Sequence, residues 1–168
     1  MFFAFLPLQA LGSGILLAWM MLPISRERKR LNMESRISVT ISDYQRLMEL
    51  FDLASAKAKM PDAVNTLYKN LMAARMFSAE TIKENIVTMN SRVLLREISS
   101  GRETEITITY PRESDTLQKR VSVFSPIGST LFGRDEGDIV SWKTPTGLGN
   151  FKILKVTYQP EAAGNYSL

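Results

Sequence analysis

The chain contains neither cysteine nor histidine. Disulfides, thiol nucleophiles, Ser/His/Asp triads and the ordinary zinc sites are thereby excluded, so any chemistry would rest on carboxylates, lysine, tyrosine or hydroxyls. A large charge excess is also missing. The net charge of +4 over 168 residues is concentrated at one end: residues 1–32 hold Arg26, Arg28, Lys29 and Arg30 against Glu27, and residues 33–168 carry 17 basic against 16 acidic residues. The body has no electrostatic reason to seek nucleic acid, and no sequence-specific contact with it is expected. What is present is apolar material: 45% hydrophobic residues are enough for one packed domain or two small ones.

Residues 1–24 are almost wholly apolar, interrupted mainly by Gln9 and Ser13, and the basic run Arg26 to Arg30 follows at once. At about 1.5 Å per helical residue this stretch could just cross a bilayer of roughly 30 Å. It does not resemble a secretory signal, because no positive charge precedes it and no small-residue cleavage site closes it. The trailing charge would leave the body on the cytoplasmic side. Pro7, Pro23, Gly12, Gly14 and the lack of a linker argue against a span. Three readings stand: a stretch upstream of a natural start at Met33, a single-pass anchor, or an ordered part of the fold. The first is favoured. It gives a cytoplasmic protein with an apolar extension at 1–32 and domains at 33–85 and 86–168, meeting a membrane only if residues 1–24 are a genuine anchor.

From Ser42 the pattern is helical. Ser42 and Gln45 have capping-box spacing, and Asp43 falls in the first turn, where the helix dipole favours negative charge. Leu47, Leu50, Phe51, Ala54 and Ala58 form one stripe; Pro61 opens a second helix with Val64, Leu67, Tyr68, Leu71 and Ala74 on its apolar face. Two such stripes joined by a short turn predict an antiparallel helical hairpin, a short coiled coil whose arms of about sixteen residues reach only about 24 Å.

After a polar connector over residues 78–85 the period becomes two. Ile106, Ile108 and Tyr110 alternate with Glu105, Thr107 and Thr109, and shorter strands follow at Val121 to Val123 and Ile139 to Trp142. Ser99, Ser100 and Gly101 turn the chain before the Ile106 strand, and Thr144 to Gly147 turn it before the last strand. There Phe151 and Ile153 have one parity and Val156 and Tyr158 the other, which a β-bulge near Ile153 reconciles. Ser125 and Pro126 read as the cap and first turn of a short helix ending at Gly133. The predicted class is α+β: a helical hairpin, then a small antiparallel sheet with one short helix.

No motif assembles a nucleophile, a base and an oxyanion site, so no catalytic residue and no cofactor is assigned. Asp135, Glu136 and Asp138 around Gly137 could hold a hard cation, but they lack the EF-hand pattern and suit a turn leading into a strand; no metal site is assigned. Gly147 and Gly149 are hairpin residues with no helix after them, and the 128–133 segment lacks the Lys and Ser/Thr of a phosphate loop. Trp142 and Phe124 are expected in the core rather than lining a pocket.

Three stretches carry a resemblance: Val87 Thr88 Met89 Asn90 Ser91 Arg92 Val93; Ser122 Val123 Phe124 Ser125 Pro126 Ile127 Gly128 with Gly133, Gly137 and Asp138; and Tyr158 Gln159 Pro160 Glu161 Ala162 Ala163 Gly164 Asn165 Tyr166. Together they resemble the GreA/GreB transcript-cleavage-factor superfamily, the first and last being closer to its nucleoside-diphosphate-kinase-regulator (Rnk) branch than to the Gre proteins. The resemblance leaves residues 1–32 unmatched and implies an FKBP-like C-terminal domain. It further implies docking on the rim of the secondary channel of bacterial RNA polymerase, with Ser125, Pro126, Ile127 and Gly128 at the contact and the hairpin pointing inward. The same four residues are what a capped helix start needs for folding alone, and the 159–166 tail is likewise either recognition surface or sheet closure. Gre factors carry acidic residues at a long hairpin's tip that help hold a catalytic magnesium ion; here the tip holds Lys57, Lys59 and Asp62 on short arms. The expected function is therefore a transcription regulator that competes with Gre factors without stimulating cleavage. The alternative, resting on fold analogy alone, is a peptidyl-prolyl isomerase.

Overall fold

The computed structural model describes residues 36–55, 60–145 and 147–166. The expectations for residues 1–32, for the start at Met33 and for Lys57 and Lys59 lie outside them. Among the described residues no helix is long and apolar enough to cross a membrane. Residues Arg36–Leu168 form one compact unit.

The unit opens with β1 (Ser38–Thr40), continues into α1 (Ile41–Ser55) and α2 (Asp62–Met72), and returns through β2 (Arg75–Phe77), which pairs with β1 in parallel. The remaining elements are β3 (Arg92–Glu97), β4 (Glu103–Thr109), a 3-10 turn at Pro111–Glu113, β5 (Arg120–Ser122), α3 (Pro126–Leu131), β6 (Ile139–Thr144) and β7 (Gly147–Tyr158). The larger sheet has the order β5-β4-β3-β7-β6.

Two expectations about the sheets need correction. The five-stranded sheet is mixed rather than antiparallel, because β5 runs parallel to β4 with Thr107 opposite Arg120. Alternation in the sequence reports burial of one face and is blind to strand direction. Here the 3-10 turn and the loop through Asp115 carry the chain back as far as Thr107, beside which β5 begins. The β1–β2 pair was not foreseen at all, although Ile37, Val39 and Ile41 alternate there. Three-residue strands carry too few periods to stand out beside a helix start.

The bulge expected near Ile153 is present: the β3–β7 register shifts between Leu94 and Leu95, passing over Leu154, and again between Arg92 and Val93, passing over Thr157. Each extra residue flips the parity, so Ile153 and Val156 both reach the core. Gly101, at φ +70°, makes the turn between β3 and β4, as the sequence predicts.

The helices run antiparallel: Phe51 meets Tyr68 edge-on at 5.3 Å, and the Tyr44 hydroxyl near the start of α1 reaches Met72 Sδ at the end of α2, 3.9 Å away. Their stripes do not face only each other. Leu47, Phe51, Val64, Leu67 and Leu71 belong to one continuous core with Val93, Ile108, Val123, Leu131 and Ile153, and Phe51 stacks on Phe124 at 5.2 Å. At about 25 cal/mol per Å² of apolar surface, that shared burial is what holds short helices on the sheet.

Candidate functional site

The start of α3 is built by local chemistry. Ser125 adopts an extended backbone; its hydroxyl accepts the Gly128 N–H at 3.1 Å and donates to the Ser122 carbonyl at 2.7 Å. Pro126 occupies the first turn, where its missing N–H costs nothing, and its carbonyl accepts the Thr130 hydroxyl at 2.7 Å. Gly128 is buried against β5: a Cβ there would sit 2.2 Å from the Ser122 carbonyl oxygen. The four residues thus divide. Gly128 and the Ser125 hydroxyl are committed to holding the turn, Ile127 packs on the core, and Pro126 faces solvent.

A trough of about 710 Å³ lies beside this helix start, lined by Leu50 and Leu53 of α1, Tyr110, Pro111 and Phe124. Leu53 is 62% exposed there. On the other side of α3, Trp142 and Phe151 stack at 3.8 Å and 5°, and the cleft beneath Ile127 has only about 180 Å³.

The base of the hairpin is locked by a carboxylate that does more than its first-turn position predicts, and the cap is not the one expected. The helix begins at Ile41, and Thr40 takes the cap position in place of Ser42: its hydroxyl accepts the Asp43 N–H at 3.0 Å. Thr40 ends β1 in extended backbone, which aims its hydroxyl at the third helical N–H. Asp43 lies in the first turn, as the sequence predicts, and is buried as well. It is 4% exposed, accepting the Met89 N–H at 3.1 Å and the Tyr110 hydroxyl at 3.3 Å. Burial pushes its pKa up against those hydrogen bonds and the field of Arg46, and burial with the Asp43 charge pushes Tyr110 up as well.

The tail closes the structure. Gln159 is buried and its amide donates to the carbonyls of Lys83 at 2.9 Å and Ile86 at 2.8 Å, while the Thr88 hydroxyl donates to Glu161 at 2.7 Å. Burial raises the pKa of Glu161. In the acidic turn, Glu136 accepts the Val156 N–H at 2.6 Å and Asp138 the Asp135 N–H at 3.3 Å, so these carboxylates are spent on the backbone. Among the described residues no group of three or more acidic side chains converges as a metal site. At the hairpin tip, Asp62 is the first residue of α2 and is exposed.

A capped short helix thus packs against a five-stranded mixed sheet, and two helices precede them in the chain. The family described as "Transcription elongation factor, GreA/GreB, C-term" matches residues 82–158. The chain is 38% identical over 116 residues to the "Regulator of nucleoside diphosphate kinase" of Escherichia coli K12, covering 68% of this chain and 83% of that one. It is 31% identical over 130 residues to the "Transcription elongation factor GreA" of Syntrophomonas wolfei, covering 76% and 82%. Among solved structures, the GreA/GreB elongation factor of Nitrosomonas europaea superposes with a TM-score of 0.64 at 35% identity, over 73% of this chain and 99% of that one. The chain belongs to the GreA/GreB family. Within it, the chain is a homologue of the regulator of nucleoside diphosphate kinase.

Proposed function

We propose that this protein binds bacterial RNA polymerase at the rim of the secondary channel, residues 86–168 docking and the 33–85 hairpin pointing inward, and that it competes with Gre factors without stimulating transcript cleavage. The observation that carries the reading is the length of the arms. The helices have 15 and 11 residues, about 22 and 16 Å at 1.5 Å per residue, and much of that length is packed on the sheet. A carboxylate on so short a projection stops far from a catalytic centre deep in a channel. The tip sequence supports the same conclusion, since Lys57 and Lys59 beside Asp62 repel a divalent cation rather than hold it.

Docking is assigned to the solvent-facing part of the α3 start, Pro126 with the edge of Ile127, next to the apolar trough under Phe124. Ser125 and Gly128 shape that surface from behind. The test has two arms. Core polymerase should co-purify with the full chain and release it on addition of a Gre factor, and Pro126→Ala should weaken that association while leaving the melting temperature in place. In an arrested elongation complex the protein should yield no shortened RNA; cleavage products above background would overturn the reading.

A further inference from the structure

The outer face of the large sheet carries a row of side chains that neither the fold nor the docking reading uses. Tyr158 of β7, Arg92 of β3, Thr107 of β4 and Arg120 of β5 are successive partners across four strands. Residues in register project to one face. Val93, Ile106 and Ile108 bury on the other, so the row faces outward. Two guanidinium-bearing positions are thus held about 10 Å apart, two strand spacings, with the Thr107 hydroxyl between them. The row floors a groove of about 870 Å³, with Lys119 on its rim and Arg46 facing it from α1.

The charges are only partly offset. Glu113 accepts from Arg120 Nη2 at 2.7 Å and its carbonyl takes the Nε–H at 3.0 Å, which fixes the direction of that guanidinium. Glu105, the other carboxylate in the groove, accepts the Thr157 hydroxyl at 2.6 Å. Among the described residues Arg92 and Lys119 have no side-chain hydrogen bond or ion pair. Four cations, Arg46, Arg92, Lys119 and Arg120, thus meet two carboxylates, Glu105 and Glu113, along the groove, which leaves it net positive.

The backbone points to the same place. Lys119 and Asn90 are, among the described residues, the non-glycine residues with positive φ, at +55° and +59°, and both line this groove. Asparagine tolerates that region; lysine seldom enters it. The turn that forces it is built by Asp115, whose carboxylate accepts the N–H of Leu117 at 2.8 Å, and by the Lys119 carbonyl, which accepts the Thr107 N–H at 3.0 Å. Glycine would relieve the position at no steric cost, yet a cation stands there, on the rim of a groove already lined by arginine.

We propose that this groove binds a small ligand carrying two adjacent phosphoryl groups, one held by Arg92 with Lys119 and the other by Arg120, with Thr107 donating between them. Paired guanidiniums and an ammonium suit phosphate oxygens because the hydrogen bonds are charge-assisted. The groove's volume falls in the range of small-molecule sites. The assignment is independent of polymerase docking.

Titration calorimetry on the full chain with inorganic pyrophosphate as the probe tests it, with orthophosphate as the comparator. Pyrophosphate should bind at least about tenfold more tightly than orthophosphate, and Arg92→Gln and Lys119→Gly should each weaken it by about tenfold. Lys119→Gly should at the same time hold or raise the melting temperature, a combination that a purely structural lysine does not give. Absence of pyrophosphate binding at millimolar concentration, equal affinity for both anions, or unchanged affinity in both variants overturns the proposal.

Discussion

The starts of α1 and α3 use the same chemistry for different ends. At Thr40–Asp43 a hydroxyl caps α1 and the third residue turns inward, so that a buried carboxylate ties the helix to Met89 and Tyr110 of the C-terminal half. At Ser125–Gly128 a hydroxyl caps α3 in the same way, but Pro126 is left in solvent. A cap satisfies orphan N–H groups wherever a helix begins. Whether that start is a joint or a surface depends on what the residues after the cap touch.

Four substitutions sharpen the contrast, and the largest effect is expected where backbone meets backbone. Gly128→Ala places a methyl group 2.2 Å from the Ser122 carbonyl oxygen and should destabilise the protein by about 3 kcal/mol or more, read by urea unfolding. Asp43→Ala strips the Met89 N–H and the Tyr110 hydroxyl of their acceptor and should cost about 2 kcal/mol. Hydrogen exchange should then quicken at Met89 before it does in β3. Ser125→Ala removes only the cap and should cost about 1 kcal/mol. Pro126→Ala should move stability by no more than about 0.5 kcal/mol while weakening polymerase association. If Pro126→Ala proves as destabilising as Gly128→Ala, the division of the α3 start into scaffold and surface is wrong.

The smallest effect is a pH slope. Burial raises the folded-state pKa of Asp43 above its ordinary value of 3.8, so the folded protein holds this proton more tightly than the unfolded chain. The resulting stabilisation is complete below about pH 3.8 and is lost as pH rises through the raised value. Asp43→Asn removes this dependence. Wild type should therefore gain on the Asn variant as both are acidified from neutral pH, whereas a carboxylate held by ion pairs would lose. Thermal melts of the two proteins across that range decide the sign.

Much of the C-terminal half was legible as local pattern. Ser125 and Pro126 announce a helix start because capping is decided within four residues, and the parity change between Ile153 and Val156 announces a bulge because a strand has only two faces. Asp43 was legible only as a residue in the first turn of a helix. Its acceptor role needs Met89 and Tyr110, 46 and 67 residues away, and nothing in the local spacing encodes that meeting. The basic row was harder still. Arg92, Thr107 and Arg120 lie on three separate strands, and a near-neutral composition hides a cluster that register alone assembles.

By itself the sequence determined the helices and the longer strands, the cap of α3, the turns, the apolar stripes, and the absence of thiol and imidazole chemistry, because each of these depends on residues within about one helical turn or one strand of one another. Tertiary structure decided the parallel placement of β5 and β1, the fusion of both helices into the sheet's core, the burial of Asp43 and the gathering of arginines on one outer face. Those are outcomes of which surfaces meet, and a meeting of distant segments is set by the packing of the whole chain.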